Sequence, residues 1–408
     1  MRVPQWLAVG CLLVAACGAH QHAKSRPPCE DDAGADSAAA RICNRAYPSV
    51  FEAWNPAQNL DTGPSGAVAP LVESVETTMA RHDLIWKGVT AFGLAWDGPY
   101  PGAATRFTEA SIAAAVALRQ RLLAMNPNVI LLGEIRYHDA ASTYLPADSP
   151  WWQRDATGSP VVHSQSSAGD GPHYYLDFTR DDLQAQVAAQ CRAVVQSGAL
   201  DGCMLDWWSK DTPERVAMIQ KVRQAIGDDA ILVVNVNGSR PVASAPYVNG
   251  MYMEGLGASS FPDWTVAASN TEWADANLRV PAFSALDAWA QLPAGRADYA
   301  AMRFATAIAL IHGNGYVLFA DANSLPTPDH LHDWYSFWDR SLGRPSGAGT
   351  IESDETRRRD YERGTVVLNP PDRGSVTVRF DEARTRVSNG DVSDAHSLAA
   401  GDADLFLR

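Results

Sequence analysis

Short apolar runs recurring at regular intervals, with helical patterns between most of them, constrain this chain more than any other feature. Eight runs read as strand cores: Ser49–Trp54, Gly88–Trp96, Val129–Tyr137, Gly202–Trp207, Ile231–Asn237, Gly250–Glu254, Val280–Leu286 and Gly315–Ala320. Helical periodicity is clearest over Ser111–Met125, Asp181–Ser197, Pro213–Ile226 (after Asp211-Thr212, which can cap it) and Tyr299–His312, and a further helix is expected at Asp329–Ser341. Strands alternating with helices imply a parallel sheet with crossover helices. Eight such units imply closure into a (β/α)8 TIM barrel, an open doubly wound sheet being the alternative. No Gly-rich phosphate loop follows the first run, which weighs against the nucleotide-binding version.

The flanks read differently. Arg2, the apolar stretch Trp6–Ala16 and the sequence VAAC ending at Cys17 have the order of a secretory signal and resemble a bacterial lipobox, with an ordinary signal peptide cut nearby as the bland alternative. Residues 1–16 are then a signal peptide, Cys17 is the lipidated residue, and 17–46, rich in Ala, Asp, His, Ser and Pro, form a flexible tether. The barrel is expected over 47–350 and a small all-β domain over 351–408, where TVVLNPP and SVTVRF flank the turn Asp372-Arg373-Gly374. The expected location is the bacterial envelope, periplasmic or cell-surface, with the membrane touched only through the lipid anchor.

Cysteines fit an oxidising compartment. Cys29 and Cys43 could close a loop in the tether; Cys191 and Cys203 should meet between a helix and the barrel wall, as a disulfide or as two buried thiols. A net charge of −14 argues against nucleic acid as a partner. Thirteen tryptophans suit either a core or a surface that stacks on sugars. The long segment 138–180, read as irregular, carries Trp151, Trp152, His163, His173, Tyr174 and Tyr175 and lies after the third strand, where a loop of such length is functional or disordered; its aromatics favour a substrate wall over plain packing.

Active sites of this fold lie where strands end, so acids closing apolar strands are the candidates. Asp206 closes GCMLDWW, sharing a face with Met204 while Cys203 and Leu205 share the other; its bland reading is a helix-capping acid. Glu254 closes GMYMEGLG, with a salt-bridged rim residue as the alternative. These two are the catalytic candidates. Glu134 and Arg136, in VILLGEIRYHD, hold substrate or form a structural ion pair. Asn235 and Asn237 in ILVVNVNG suit sugar hydroxyls, and Trp54, Trp207 and Asp321 complete the expected binding set; Asp97, after the second run, is a weaker candidate. Glycoside cleavage needs one carboxyl to protonate the leaving oxygen and a second to attack or to activate water, and it requires no metal or other cofactor. The chain has no HExxH, its HQH at 20–22 falls in the tether, and no GxSxG elbow is present.

The runs PSVFEAWNPA, HDLIWKGV, ALDGCMLDWW, ILVVNVNG, MYMEGLG and GTVVLNPP resemble the hypothetical glycosyl hydrolase 15 group of bacterial barrel proteins, over about residues 47–385. That resemblance implies a barrel and a glycosidase. The layout is also similar to the α-galactosidase clan, which implies a fourth-strand carboxylate, Asp206, as nucleophile and a sixth-strand one, Glu254, as acid/base; that clan typically has Asp in the second role, where this chain has Glu. The expected activity is hydrolysis of O-glycosidic bonds in an oligo- or polysaccharide. The rivals are a catalytically inactive carbohydrate-binding lipoprotein and a structural envelope protein.

Overall fold

The computed structural model describes residues 36–61, 68–165, 171–257, 263–291, 298–323 and 328–408. The signal peptide, Cys17 and Cys29 lie outside the described residues. Eight parallel strands follow one another around a single sheet: β1 (Phe51–Ala53), β2 (Leu84–Gly88), β3 (Ile130–Glu134), β4 (Gly202–Leu205), β5 (Ile231–Asn235), β6 (Gly250–Leu256), β7 (Phe283–Trp289) and β8 (Tyr316–Ala320). The parallel bridge between Val50 and Val317, with the Val317 N–H donating to Ser49 O at 3.0 Å, closes β8 onto β1. The fold is a TIM barrel followed by an antiparallel sheet.

Alternation along each strand sorts its side chains into two populations. Phe51, Trp86, Leu132, Met204, Val233, Tyr252, Ala285 and Leu318 fill the barrel; Ile85, Leu131, Leu205, Leu232, Met253 and Leu286 join the outer core under the helices. The same alternation carries Glu134, Asp206, Asn235, Glu254 and Asp287 onto the inward face, at the C-terminal ends of their strands. Gly202 is forced by the register: a Cβ there would lie 1.7 Å from Ile231 O, so β4 and β5 approach at a point where no side chain fits.

The helices are α1 (Ala38–Asn44), α2 (Val75–Met79), α3 (Glu109–Met125), α4 (Asp181–Gln196), α5 (Pro213–Ile226), α6 (Trp264–Asn277) and α7 (Tyr299–Ile311). Thr212 caps α5 by accepting from the Arg215 N–H. Part of the stretch expected to be tether is α1, which plugs the barrel floor. Ile42 is buried with the interior side chains; Arg41 donates to Val129 O at 2.6 Å and pairs with Asp201; Arg45 donates to Asn314 O and lies over the Tyr316 ring. Those partners sit just before β3, β4 and β8.

Three further expectations change. The second strand is Leu84–Gly88, upstream of the expected Gly88–Trp96, where a 3-10 turn over Val89–Phe92 ends at Gly93 with φ of 85°. Lys87 broke the apolar pattern there, but it is an outward side chain buried against Glu52. The expected helix at 329–341 is a loop with one 3-10 turn, Ser336–Asp339, and α6, not singled out in the sequence, follows β6. Segment 138–180 holds a three-stranded antiparallel sheet (Asp139–Ala141, Val162–Gln165 and Pro172–Tyr175) and is not irregular.

The C-terminal sheet has β9 (Thr350–Ile351), β10 (Arg357–Tyr361), β11 (Gly364–Asn369), β12 (Val376–Arg386), β13 (Val392–Leu398) and β14 (Asp402–Leu407), in the order β9-β10-β11-β14-β12-β13. It packs on α7, tied by Arg303 to Asp402 at 2.8 Å and by Arg359 to Leu310 O at 2.8 Å. Cys191 and Cys203 are free buried thiols between α4 and β4, and Cys43 is disulfide-bonded. Among the described residues no helix is long and apolar enough to cross a membrane.

Candidate active site

One amide organises the barrel mouth. Asn235, buried at the end of β5, donates from Nδ2 to Asp206 Oδ1 at 2.8 Å and to Glu254 Oε2 at 2.7 Å. Its orientation is set by its own oxygen, which accepts from the Asn237 N–H at 3.0 Å. Two carboxylate oxygens bound to one nitrogen are separated by at most the sum of those bonds, about 5.5 Å. The neighbours of β5 in the sheet are β4 and β6, so one side chain on the central strand reaches acids on both.

The two acids do not share one electrostatic state. Burial, together with the charge of Glu134, pushes Asp206 up to about 6, against hydrogen bonds from Asn235 and the Trp207 N–H. Burial pushes Glu254 up to about 8; Asn235 opposes this, while Asp206 and Asp329 reinforce it. Glu254 bonds to Asp329, which burial would raise but which His330 and Glu254 hold below the usual carboxylate range; His330 Nδ1 stands 3.0 Å from Asp329 Oδ1. At neutral pH the arrangement offers a proton on Glu254 beside an ionised Asp206. The pair titrates as a coupled unit.

Glu134 ends β3 on the same inward face. It accepts from Trp54 Nε1 at 2.8 Å and pairs with Arg136 Nε at 3.1 Å. Trp54 packs edge-on to Trp86 and Tyr252 and lies 4.7 Å from the His330 ring. Trp207, 42% exposed, stacks on His138 with ring centroids 5.1 Å apart. Glu134, Arg136, Trp54, Trp207 and Asn235 therefore gather around the acid pair. Asn237 acts through its backbone N–H. Asp321 belongs elsewhere: its carboxylate accepts from the Tyr335 hydroxyl and from the Asp333 N–H at 2.7 Å, in a network under the loop after β8, and does not join the pair. Asp97 pairs with Arg106 on the surface.

Several residues at the mouth were not singled out in the sequence. Asp287, fully buried on β7, accepts from the Tyr252 hydroxyl at 2.9 Å, and burial pushes its carboxyl well above the usual range. Its signal was the same one that exposed Asp206, an acid in an apolar run (FSALDAW), but the expected strand stopped one residue short of it. Asp329 and His330 were read as the start of a helix. Backbone strain marks the same rim: of the five non-glycine residues with positive φ among the described residues, Trp54 (56°), Trp207 (58°), Asn237 (50°) and Asp329 (55°) follow β1, β4, β5 and β8. Such conformations are costly and concentrate where function over-determines the backbone.

Two groups at the mouth have the donor sets of a metal site: Glu254, Asp329 and His330, and His138, Asp139 and His163, in each of which the ligand atoms lie within 4.8 Å of one another.

Residues 214–365, which include β5 to β8 and Glu254, match the family model of Hypothetical glycosyl hydrolase family 15. No curated protein matches. Among solved structures, the chain is similar to an α-amylase from Lactobacillus plantarum (10% identity, 90% of this chain and 99% of that one, TM-score 0.52). It is likewise similar to an α-amylase from Malbranchea cinnamomea (14% identity, 88% and 96%, TM-score 0.50). At such identities the likeness is one of fold. An α-galactosidase from Thermus thermophilus aligns over 56% of this chain and 48% of its own at 17% identity and a TM-score of 0.33.

Proposed function

We propose that this chain is a retaining glycoside hydrolase acting on an oligo- or polysaccharide, exported and lipid-anchored at Cys17. The observation that carries the reading is the single Asn235 amide shared by Asp206 and Glu254. It keeps the two oxygens within about 5.5 Å of each other, which suits a double displacement and falls well short of the ~6.5–9.5 Å that leaves room for a water. The family model over residues 214–365 supports a carbohydrate substrate.

In this mechanism Asp206, ionised above about pH 6, attacks the anomeric carbon as the glycosidic bond breaks. Glu254, protonated below about pH 8, gives its proton to the departing oxygen. The product is a glycosyl ester on Asp206. Glu254, now ionised, takes a proton from water as that water attacks the anomeric carbon and displaces the Asp206 carboxylate, and both carboxyls return to their starting states. Asn235 bonds to Asp206 throughout and steadies Glu254 once it loses its proton. Asp329 accepts a hydrogen bond from the protonated Glu254 in the resting state, keeping the proton directed within the mouth. Trp54 and Trp207 offer flat apolar faces to sugar rings, and Glu134 with Arg136 offers polar contacts beside them.

The test is release of new reducing ends from a broad panel of bacterial and plant polysaccharides by the parent and by Asp206→Asn. NMR then identifies the first-formed anomer. Release by the parent alone with retained configuration is expected. An inverted product would sink the retaining mechanism, and sugar binding without release across the panel would favour the inactive carbohydrate-binding protein.

A further inference from the structure

We propose that His138, Asp139 and His163 form a site for a divalent first-row transition metal, zinc(II) being the natural fit, that fastens the insert after β3 to the wall of the mouth at Trp207. The register of the insert brings the groups together: Asp139 pairs with Tyr175 and Ala141 with His173 on one side of the central strand, while Ser164 pairs with His173 on the other. The imidazole nitrogens converge on one buried carboxylate. His138 Nδ1 stands 3.4 Å from Asp139 Oδ1, His163 Nδ1 3.7 Å from Oδ2, and His173 Nδ1 3.0 Å from Oδ2.

Those distances separate two kinds of contact. The His173 distance is a hydrogen bond, and the His138 distance is one at its long limit. The His163 distance is too long for one, and its Nδ1 is buried without a hydrogen-bond partner. Ligand atoms around a tetrahedral zinc, with bonds of about 2.0–2.1 Å, lie about 3.3 Å apart; the His138 and His163 nitrogens approach that spacing from the carboxylate. His173 then holds the carboxylate in place from outside the ligand set, as the partners of metal ligands commonly do. Imidazole with carboxylate suits zinc and its neighbours better than calcium or magnesium, which prefer oxygen. Arg136, 3.9 Å from Asp139, is the cation that would oppose a metal, but its charge is already paired with Glu134 at 3.1 Å.

The rings are fixed by aromatic neighbours before any metal binds. His138 stacks on Trp207, while His163 meets Trp207 edge-on at 5.0 Å and Tyr175 at 4.7 Å. A metal there would tie one strand of the insert to the segment leaving β3 and brace Trp207, the residue after Asp206.

The test strips the full chain with a chelator and titrates it with zinc(II) by calorimetry, then with cobalt(II) by visible absorption. One equivalent is expected, with the intense ligand-field bands of four-coordinate cobalt. His163→Ala and Asp139→Asn should each weaken zinc binding by more than about tenfold, and His173→Ala by about 10–100-fold. His330→Ala, in the other cluster, should leave it unchanged. Should the insert variants fail to fold, the parent's cobalt spectrum and His330→Ala together decide. No saturable uptake, only the weak bands of six-coordinate cobalt, or uptake abolished by His330→Ala would overturn the proposal.

Discussion

Replacing Asn235 with alanine tests the organisation of the mouth most directly. The side chain donates to Asp206 at 2.8 Å and to Glu254 at 2.7 Å, and both bonds favour the ionised carboxylate. A hydrogen bond to a charged group contributes roughly 1.5–3 kcal/mol, and one pKa unit corresponds to about 1.36 kcal/mol. Loss of the amide should therefore raise the ionisation of Asp206 by about one to two units from its value of about 6. In the parent, kcat/KM against pH should be bell-shaped, with limbs near 6 and 8. In Asn235→Ala the acid limb moves up by at least about one unit, and kcat falls about 10²-fold, as on removal of a donor from a reacting site. The assay is the pH profile on whichever glycan is cleaved; carbon-13 NMR titration of labelled carboxyls reads the same shift without a substrate. A folded variant whose acid limb stays within a few tenths of a unit of the parent's would refute the claim that this amide sets the ionisation of the pair.

Two further perturbations address stability. Glu254 has its pKa raised from 4.5 to about 8, so the native chain keeps a proton that the unfolded chain releases. Its stabilising contribution is complete below about pH 4.5 and is lost as pH rises through about 8. Calorimetric melting of Glu254→Gln, which stays neutral, should show a Tm advantage over the parent that grows across that window; a difference that is flat, or that shrinks as pH rises, would contradict it. Arg41→Ala removes a buried guanidinium from Asp201 and Val129 O at the barrel floor while leaving Asp201 its bond from Arg119 at 2.6 Å. Urea denaturation should show a loss of about 2–3 kcal/mol; a loss under about 0.5 kcal/mol would mean that α1 behaves as a loose leader after all.

The barrel was legible because its signal is repeated eight times and each repeat is apolar on both faces, as strands covered by helices must be. Errors fell where a single charged residue had a buried partner distant in sequence. Lys87 interrupted LIWKG, and nothing local announced that Glu52 would neutralise it. Residues 17–46 read as tether from their composition, and nothing local announced that Arg41 and Arg45 would find partners in Asp201 and Asn314 O, far along the chain. At the mouth, Asp206, Asn235 and Glu254 were legible as polar residues closing apolar strands. Asp329 and His330 were not, because they come from a loop whose left-handed backbone has no sequence signature outside glycine. Asp321 had the same strand-end signature as Asp206; what separates the two is Tyr335, fourteen positions on, whose hydroxyl takes its carboxylate.

The plug at the barrel floor has a consequence for how the protein would stand at a membrane. Since α1 is held before β3, β4 and β8, the chain enters the barrel on the side opposite the mouth. With Cys17 acylated as proposed, the lipid would hold the protein by this underside. The barrel would ride on it with Trp207 and the insert turned outward, so that a long glycan could be gripped away from the bilayer while the lipid kept the enzyme from diffusing off.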